Sequence, residues 1–161
     1  MRIKGLVHED FIQYQKPSMC IATSKCSFKC DKAAHANVCQ NSALANSPMH
    51  DINNQDIIGA YKRNPITKSI VIGGLEPLDD FDDLLKFFKD MYNANITDDI
   101  VVYTGYEELD VKSYIRELSE WVKGRFIVKY GRFVPNSQSK YDSVLGVTLA
   151  SDNQYAVVIK E

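Results

Sequence analysis

Three short apolar runs punctuate the chain, and each stops at a turn of small or polar residues. Ser18–Thr23 (SMCIAT) runs into Ser24-Lys25-Cys26, Ser69–Ile72 (SIVI) into Gly73-Gly74, and Asp99–Tyr103 (DIVVY) into Thr104-Gly105. Runs this short, rich in β-branched residues and apolar almost throughout, read as strands buried on both faces of a parallel sheet. Helical patterns separate them. Asn54–Arg63 (NQDIIGAYKR) is expected as a helix with Asn53 or Asn54 as N-cap and Asn64-Pro65 as its stop. From Asp79, the stretch DDFDDLLKFFKDMYN sets Phe81, Leu84, Leu85 and Phe88, together with Leu78, at helical spacing. Its acidic residues crowd the first turn, where the helix dipole favours them.

A further helix is expected over Val111–Trp121, a strand over Arg125–Lys129 and a closing strand over Tyr155–Lys160, while Asn136–Asp152 shows no regular pattern. Strand alternating with helix implies an α/β chain built on a parallel sheet. In such sheets functional loops leave the carboxyl ends of the strands. The cysteine-bearing turn, Gly73-Gly74 and Thr104-Gly105 all fall at such ends, so they are expected to meet on one edge.

The 161 residues are expected to form a single domain, 1–161, with no linker rich in Pro, Gly or Ser to divide it. A formal charge of −2 with 25% charged residues argues against an electrostatically driven nucleic-acid partner. No apolar run approaches the roughly 18 to 20 residues that span a bilayer, so no membrane partner is expected. The opening MRIKGLVHEDFIQYQKPSM mixes charges through its first ten residues, has no uninterrupted apolar stretch and does not read as a secretory signal. A cytoplasmic location follows as the expectation. There, clustered cysteines serve as metal ligands or catalysts more often than as disulfides.

Three of the four cysteines lie in residues 24–42 with the spacing C-x3-C-x8-C: Cys26, Cys30 and Cys39. Thiolates suit zinc and iron–sulfur clusters. A closed zinc site would need a fourth ligand, for which His35 and Cys20 are candidates. A 4Fe–4S cluster held by three thiolates keeps one iron free for an exogenous ligand. Cys20, inside the apolar run, reads as a small buried hydrophobe, and His35, in KAAHANV, reads as solvated. Phe28, between two cysteines, is placed to shield a bound cluster. Arg125, Lys129 and Arg132 alternate with aromatics in the pattern of a solvated strand face.

Strand, C-x3-C, a third Cys, then a Gly-Gly turn after the next strand: this layout resembles that of radical S-adenosylmethionine enzymes. The family motif is C-x3-C-x2-C with an apolar residue before the third Cys; here Val38 precedes Cys39, and six additional residues separate Cys30 from Cys39. Gly73-Gly74-Leu75-Glu76-Pro77 resembles the family's G-G-E-P turn with Leu75 inserted. More narrowly, DDIVVYTGYEEL (98–109), WVKGRFIVKYGRF (121–133) and Leu149–Gln154 (LASDNQ) are similar to segments of anaerobic ribonucleotide reductase activating proteins, in the same order.

The resemblance implies a shortened partial (β/α) barrel of mostly parallel strands. It also implies a 4Fe–4S cluster on Cys26, Cys30 and Cys39, and S-adenosylmethionine as cofactor. Gly73, Gly74, Glu76 and Pro77 would hold the methionine end, Val38 would lie against the adenine, and Thr104 near the ribose. The implied partners are the large glycyl-radical reductase subunit and an electron donor such as flavodoxin or ferredoxin. The C-terminal segment 134–161, with Asn153 and Gln154, would face the reductase. Two other readings stand beside this one: a radical enzyme acting on a small molecule or another peptide, and a zinc-binding interaction module.

Overall fold

The computed structural model describes residues 1–161. Nine strands and five α-helices follow in the order β1 (Arg2–Asp10), β2 (Ser18–Thr23), α1 (Lys29–Ala34), α2 (Ser42–Ala45), β3 (His50–Asp51), α3 (Asn54–Arg63), β4 (Ser69–Gly73), α4 (Phe81–Asn93), β5 (Asp99–Tyr103), α5 (Glu108–Glu120), β6 (Phe126–Tyr130), β7 (Lys140–Asp142), β8 (Val147–Leu149) and β9 (Tyr155–Lys160). Seven of the strands form one sheet in the order β3-β1-β2-β4-β5-β6-β9. The four middle strands, β2, β4, β5 and β6, run parallel. β1 and β3 extend the sheet antiparallel on one side, and β9 does so on the other. The sheet ends on β3 and β9 and does not close, so the architecture is an open mixed α/β sheet.

Period-two alternation sends the strand side chains to two different cores. Met19, Ile21, Ile70, Ile72, Ile100, Val102, Phe126 and Val128 join one large cluster. It is covered by Ile57, Ile58 and Tyr61 of α3, by Leu84, Phe87, Phe88 and Met91 of α4, and by Val111, Ile115 and Leu118 of α5. Val71, Val101 and Ile127 face the other way, with Cys20 and Tyr103 packed beside them. None of the three long helices lies on that side. Tyr14, from the segment between β1 and β2, and Leu145 and Leu149, from the β7–β8 hairpin, cover it instead. Both faces are therefore buried, which is why the strands read as apolar runs rather than as alternating ones.

Local signals account for most boundaries. Asn53 is the N-cap of α3: its backbone is extended and its side chain accepts from Gln55 N at 2.9 Å. Asn64 ends the same helix. The stretch from Pro77 to Asp80 is a 3-10 turn capped by Glu76, and α4 proper begins at Phe81. The third long helix begins at Glu108, before the expected Val111, because the acidic residues Glu108 and Asp110 form its first turn. β1 was not legible from its pattern, since only Ile3 of its nine residues is fully buried. The region expected to be irregular, 136–152, contains the hairpin of β7 and β8, whose strands are three residues each.

Candidate metal and cofactor site

The carboxyl ends of β2, β4 and β5 do meet on one edge. Thr23 Oγ1 donates to the Gly73 carbonyl at 3.2 Å, and Glu76 N donates to the Lys25 carbonyl at 2.8 Å. Gly74 has φ of +78°, and a Cβ there would stand 2.8 Å from Ala22 Cβ. Only glycine lets this turn lie against the end of β2. Gly73 is inside β4, where a Cβ would meet Tyr103 Cβ at 3.0 Å. A cavity of about 370 Å³ opens at this edge, and Cys26, Cys30, Cys39, Gly74, Glu76 and Thr104 are on its wall. Gly73, Val38, Pro77 and Asn153 do not line it.

The residues between the second and third cysteines fold into structure of their own. Phe28 takes a left-handed conformation, φ 54°, and its N–H points to Cys26 Sγ at 3.3 Å. α1 follows and is closed by His35, also left-handed at φ 50° and exposed to solvent. From within this helix Asp31 reaches back, its Oδ1 accepting from Val38 N at 2.7 Å and Cys39 N at 2.8 Å. Asn41 Nδ2 then donates to the Gly74 carbonyl at 2.6 Å. The additional residues thus form a helical detour, and Asp31 returns the chain so that Cys39 rejoins the other two cysteines at the cavity.

All four cysteines are free thiols. Cys20 belongs to the apolar cluster beneath the sheet and does not line the cavity, in keeping with its reading as a packing residue. No group of three or more His, Cys, Asp or Glu side chains converges to hold a single metal ion. A single zinc ion needs such convergence. A cluster does not: each thiolate binds a different iron, so the sulfurs surround a volume instead of a point. Three thiols spread around one cavity fit the cluster. Burial pushes the Cys26 thiol up to about 11, so loading the site must release protons from it.

Glu76 and Thr104, assigned by resemblance to opposite ends of a cofactor, are bonded to each other. Glu76 Oε1 accepts from Thr104 Oγ1 at 2.8 Å and from Leu78 N at 3.2 Å, and Oε2 accepts from Gly105 N at 2.8 Å. The side chain therefore ties the Gly-Gly turn after β4 to the turn after β5. Burial pushes its carboxyl up to about 7, a larger effect than the downward pull of these three donors. Around it, Tyr106 donates to Asp79 Oδ1 at 2.6 Å, and the Lys29 ammonium stands 3.4 Å from the centre of the Tyr106 ring.

Lys129 was read as part of a solvated strand face, and the structure corrects this. It shares the face of Ile127, is 7% exposed and lines the cavity. Its ammonium donates to the Gly131 carbonyl at 2.7 Å, and burial lowers its pKa to about 8. The signal was present: β6 is apolar on both sides of Lys129, and a strand buried on both faces buries its lysine too.

Asn153 and Gln154 belong to the same corner. Asn153 Nδ2 donates to the Arg132 carbonyl at 3.0 Å, and Gln154 Nε2 to the Gly131 carbonyl at 3.2 Å. Gln154 Oε1 accepts from Ser151 N at 3.2 Å, and its side chain is buried against the cavity. Both residues fasten the C-terminal segment to the exit of β6.

A family model described as a 4Fe-4S single cluster domain matches residues 18–154. The chain belongs to that family, an iron–sulfur class consistent with the three-thiol cavity. Searches of curated proteins and of solved structures returned no match.

Proposed function

We propose that this protein is a radical S-adenosylmethionine enzyme, and more narrowly one that generates a glycyl radical on an anaerobic ribonucleoside-triphosphate reductase. The observation that carries the reading is the sharing of one cavity by three thiols and the Gly74–Glu76 turn, at the carboxyl edge of a parallel sheet. Cys26, Cys30 and Cys39 would hold a 4Fe–4S cluster, which, once reduced by a one-electron donor such as flavodoxin or ferredoxin, would supply the electron for cleavage of the sulfonium C–S bond to methionine and a 5′-deoxyadenosyl radical. That radical would take one hydrogen atom from a glycine of the reductase, giving 5′-deoxyadenosine and the glycyl radical.

The chain's own residues ligate, orient and exclude water. Cys26, Cys30 and Cys39 supply the thiolates. The Gly74 carbonyl, with a lone pair left after accepting from Asn41, and the Glu76 carboxylate receive the methionine ammonium. Thr104 acts here through Glu76, whose carboxylate it fixes by hydrogen bond. Pro77 starts the 3-10 turn that sets the direction of Glu76. Val38 lies next to Cys39 but does not line the cavity, so it is given no contact with the adenine.

Tyr14, Leu145 and Leu149 fill the inner face of the sheet. Little room remains there for a small-molecule substrate, which favours a polypeptide arriving at the mouth. Asn153 and Gln154 serve docking by holding the 134–161 segment in place, in the cytoplasm where such a reductase would be met.

Anaerobic reconstitution, reduction and quantification of 5′-deoxyadenosine test the broader claim. The expected result is methionine and 5′-deoxyadenosine in equal amounts. A fully loaded, reduced protein that produces neither sinks the radical reading. Production without a glycyl radical on a co-incubated reductase, read by electron paramagnetic resonance, sinks the narrower one.

A further inference from the structure

One charged group in the cavity has no task in the chemistry above. Lys129 is buried, lines the same cavity as the three thiols, and its ammonium makes a single hydrogen bond, to a neutral carbonyl, with the centre of the Tyr103 ring 5.9 Å away. None of the chain's ion pairs includes it. An ammonium carries three donors, and a buried charge without a counter-charge is strongly unfavourable. Such a group persists where an anion comes to sit beside it.

Glu76, the carboxylate lining that cavity, attracts Lys129 from beyond ion-pair contact, and its oxygens are already committed to Thr104, Leu78 and Gly105. Arg132 also lines the cavity, but it is half-exposed and its field is screened by solvent. Among the chain's own groups at the cavity, the remaining source of negative charge is the cysteines, because thiols become thiolates when they bind metal.

We infer that Lys129 is the buried counter-charge of the iron–sulfur cluster, a positioning residue that favours its reduced form and so raises its reduction potential. Reduction adds one electron to a group already carrying thiolates and sulfides. A fixed cation in a poorly solvated pocket stabilises the more negative state over the less negative one. The hydrogen bond to Gly131 keeps the ammonium at the end of β6, and Gln154 Nε2 shares the same carbonyl, so the C-terminal loop helps hold the charge in place. The inference rests on the cluster of this family and not on radical chemistry.

The test is a redox titration of reconstituted wild type, Lys129→Met and Lys129→Arg, with iron and sulfide content measured in each. At fixed potential, Lys129→Met should shift the reduced-to-oxidised ratio about tenfold toward oxidised, a midpoint about 59 mV lower for a one-electron couple. Lys129→Arg should stay within about threefold of wild type, since it keeps the charge. A loaded Lys129→Met whose midpoint equals that of wild type overturns the inference. So does an unchanged midpoint with lost binding of methionine, which would make Lys129 an anchor for a ligand carboxylate.

If Lys129→Met does not load, Lys129→Gln carries the same comparison, because it keeps a donor for the Gly131 carbonyl. Neutral variants that all fail to load while Lys129→Arg loads support the counter-charge; failure of Lys129→Arg as well overturns it. A shifted midpoint in a protein that never cleaves S-adenosylmethionine sinks the proposed function and leaves this inference standing.

Discussion

The two faces of the central sheet differ in what they are built from. The helix-covered face is a continuous apolar core: Phe87, Phe88, Met91, Phe126 and Leu118 are fully buried there, against Ile72 and Val102 from the strands. The opposite face has a small apolar cluster, and around it stand Cys20, Tyr103, Lys129 and a Tyr14 hydroxyl that donates to Asp99 at 2.7 Å. None of the three long helices covers that face; a loop and a short hairpin lie over its apolar cluster. The difference is one of division of labour. Packing on the helix face supplies stability, and the looser polar cover on the other face leaves a cavity at the strand ends.

This contrast makes separable predictions. The largest effect is expected at the cysteine loop. Cys39→Ala should abolish cluster assembly, read as loss of iron and acid-labile sulfide, while Cys20→Ala, within β2 and packed against the apolar cluster, should retain it. The reverse result would move the cluster to the inner face and erase the division. On the other side, Phe87→Ala should cost about 3–5 kcal/mol in denaturant unfolding, since Phe87 has no exposed surface. The fraction that remains folded should still load the cluster. Loss of loading in folded Phe87→Ala would show that the two faces are not independent.

The smallest effect is expected at Asp31→Ala. It leaves the Val38 and Cys39 amides without their acceptor, at about 1–3 kcal/mol, felt within the loop. Cluster loss to a chelator should accelerate, while the unfolding midpoint of the cluster-free protein should barely move. A large drop in that midpoint would make the loop part of the core.

How much of this was readable beforehand follows from the range of the forces involved. The four parallel strands, α3 with its Asn53 cap and the closing strand are set by neighbours along the chain, through period, caps and turn glycines. Cysteine spacing and the position of Gly73-Gly74 after a strand are equally local, so their meeting on one edge followed from topology. The role of the residues between Cys30 and Cys39 was not legible. No pattern in DKAAHAN announces that Asp31 would turn back to hold the third cysteine.

Sequence by itself therefore determined the alternation of strand and helix, the cysteine spacing C-x3-C-x8-C and the placing of the loops at strand ends. Tertiary structure decided the rest. It set β1 and β9 antiparallel on the two sides of the parallel strands, leaving the sheet open. It bonded Glu76 to Thr104 across 28 positions of chain and buried Lys129 under the C-terminal cover. Each of these depends on which distant groups must satisfy a buried donor, acceptor or charge, and such partners are chosen only when the chain is packed.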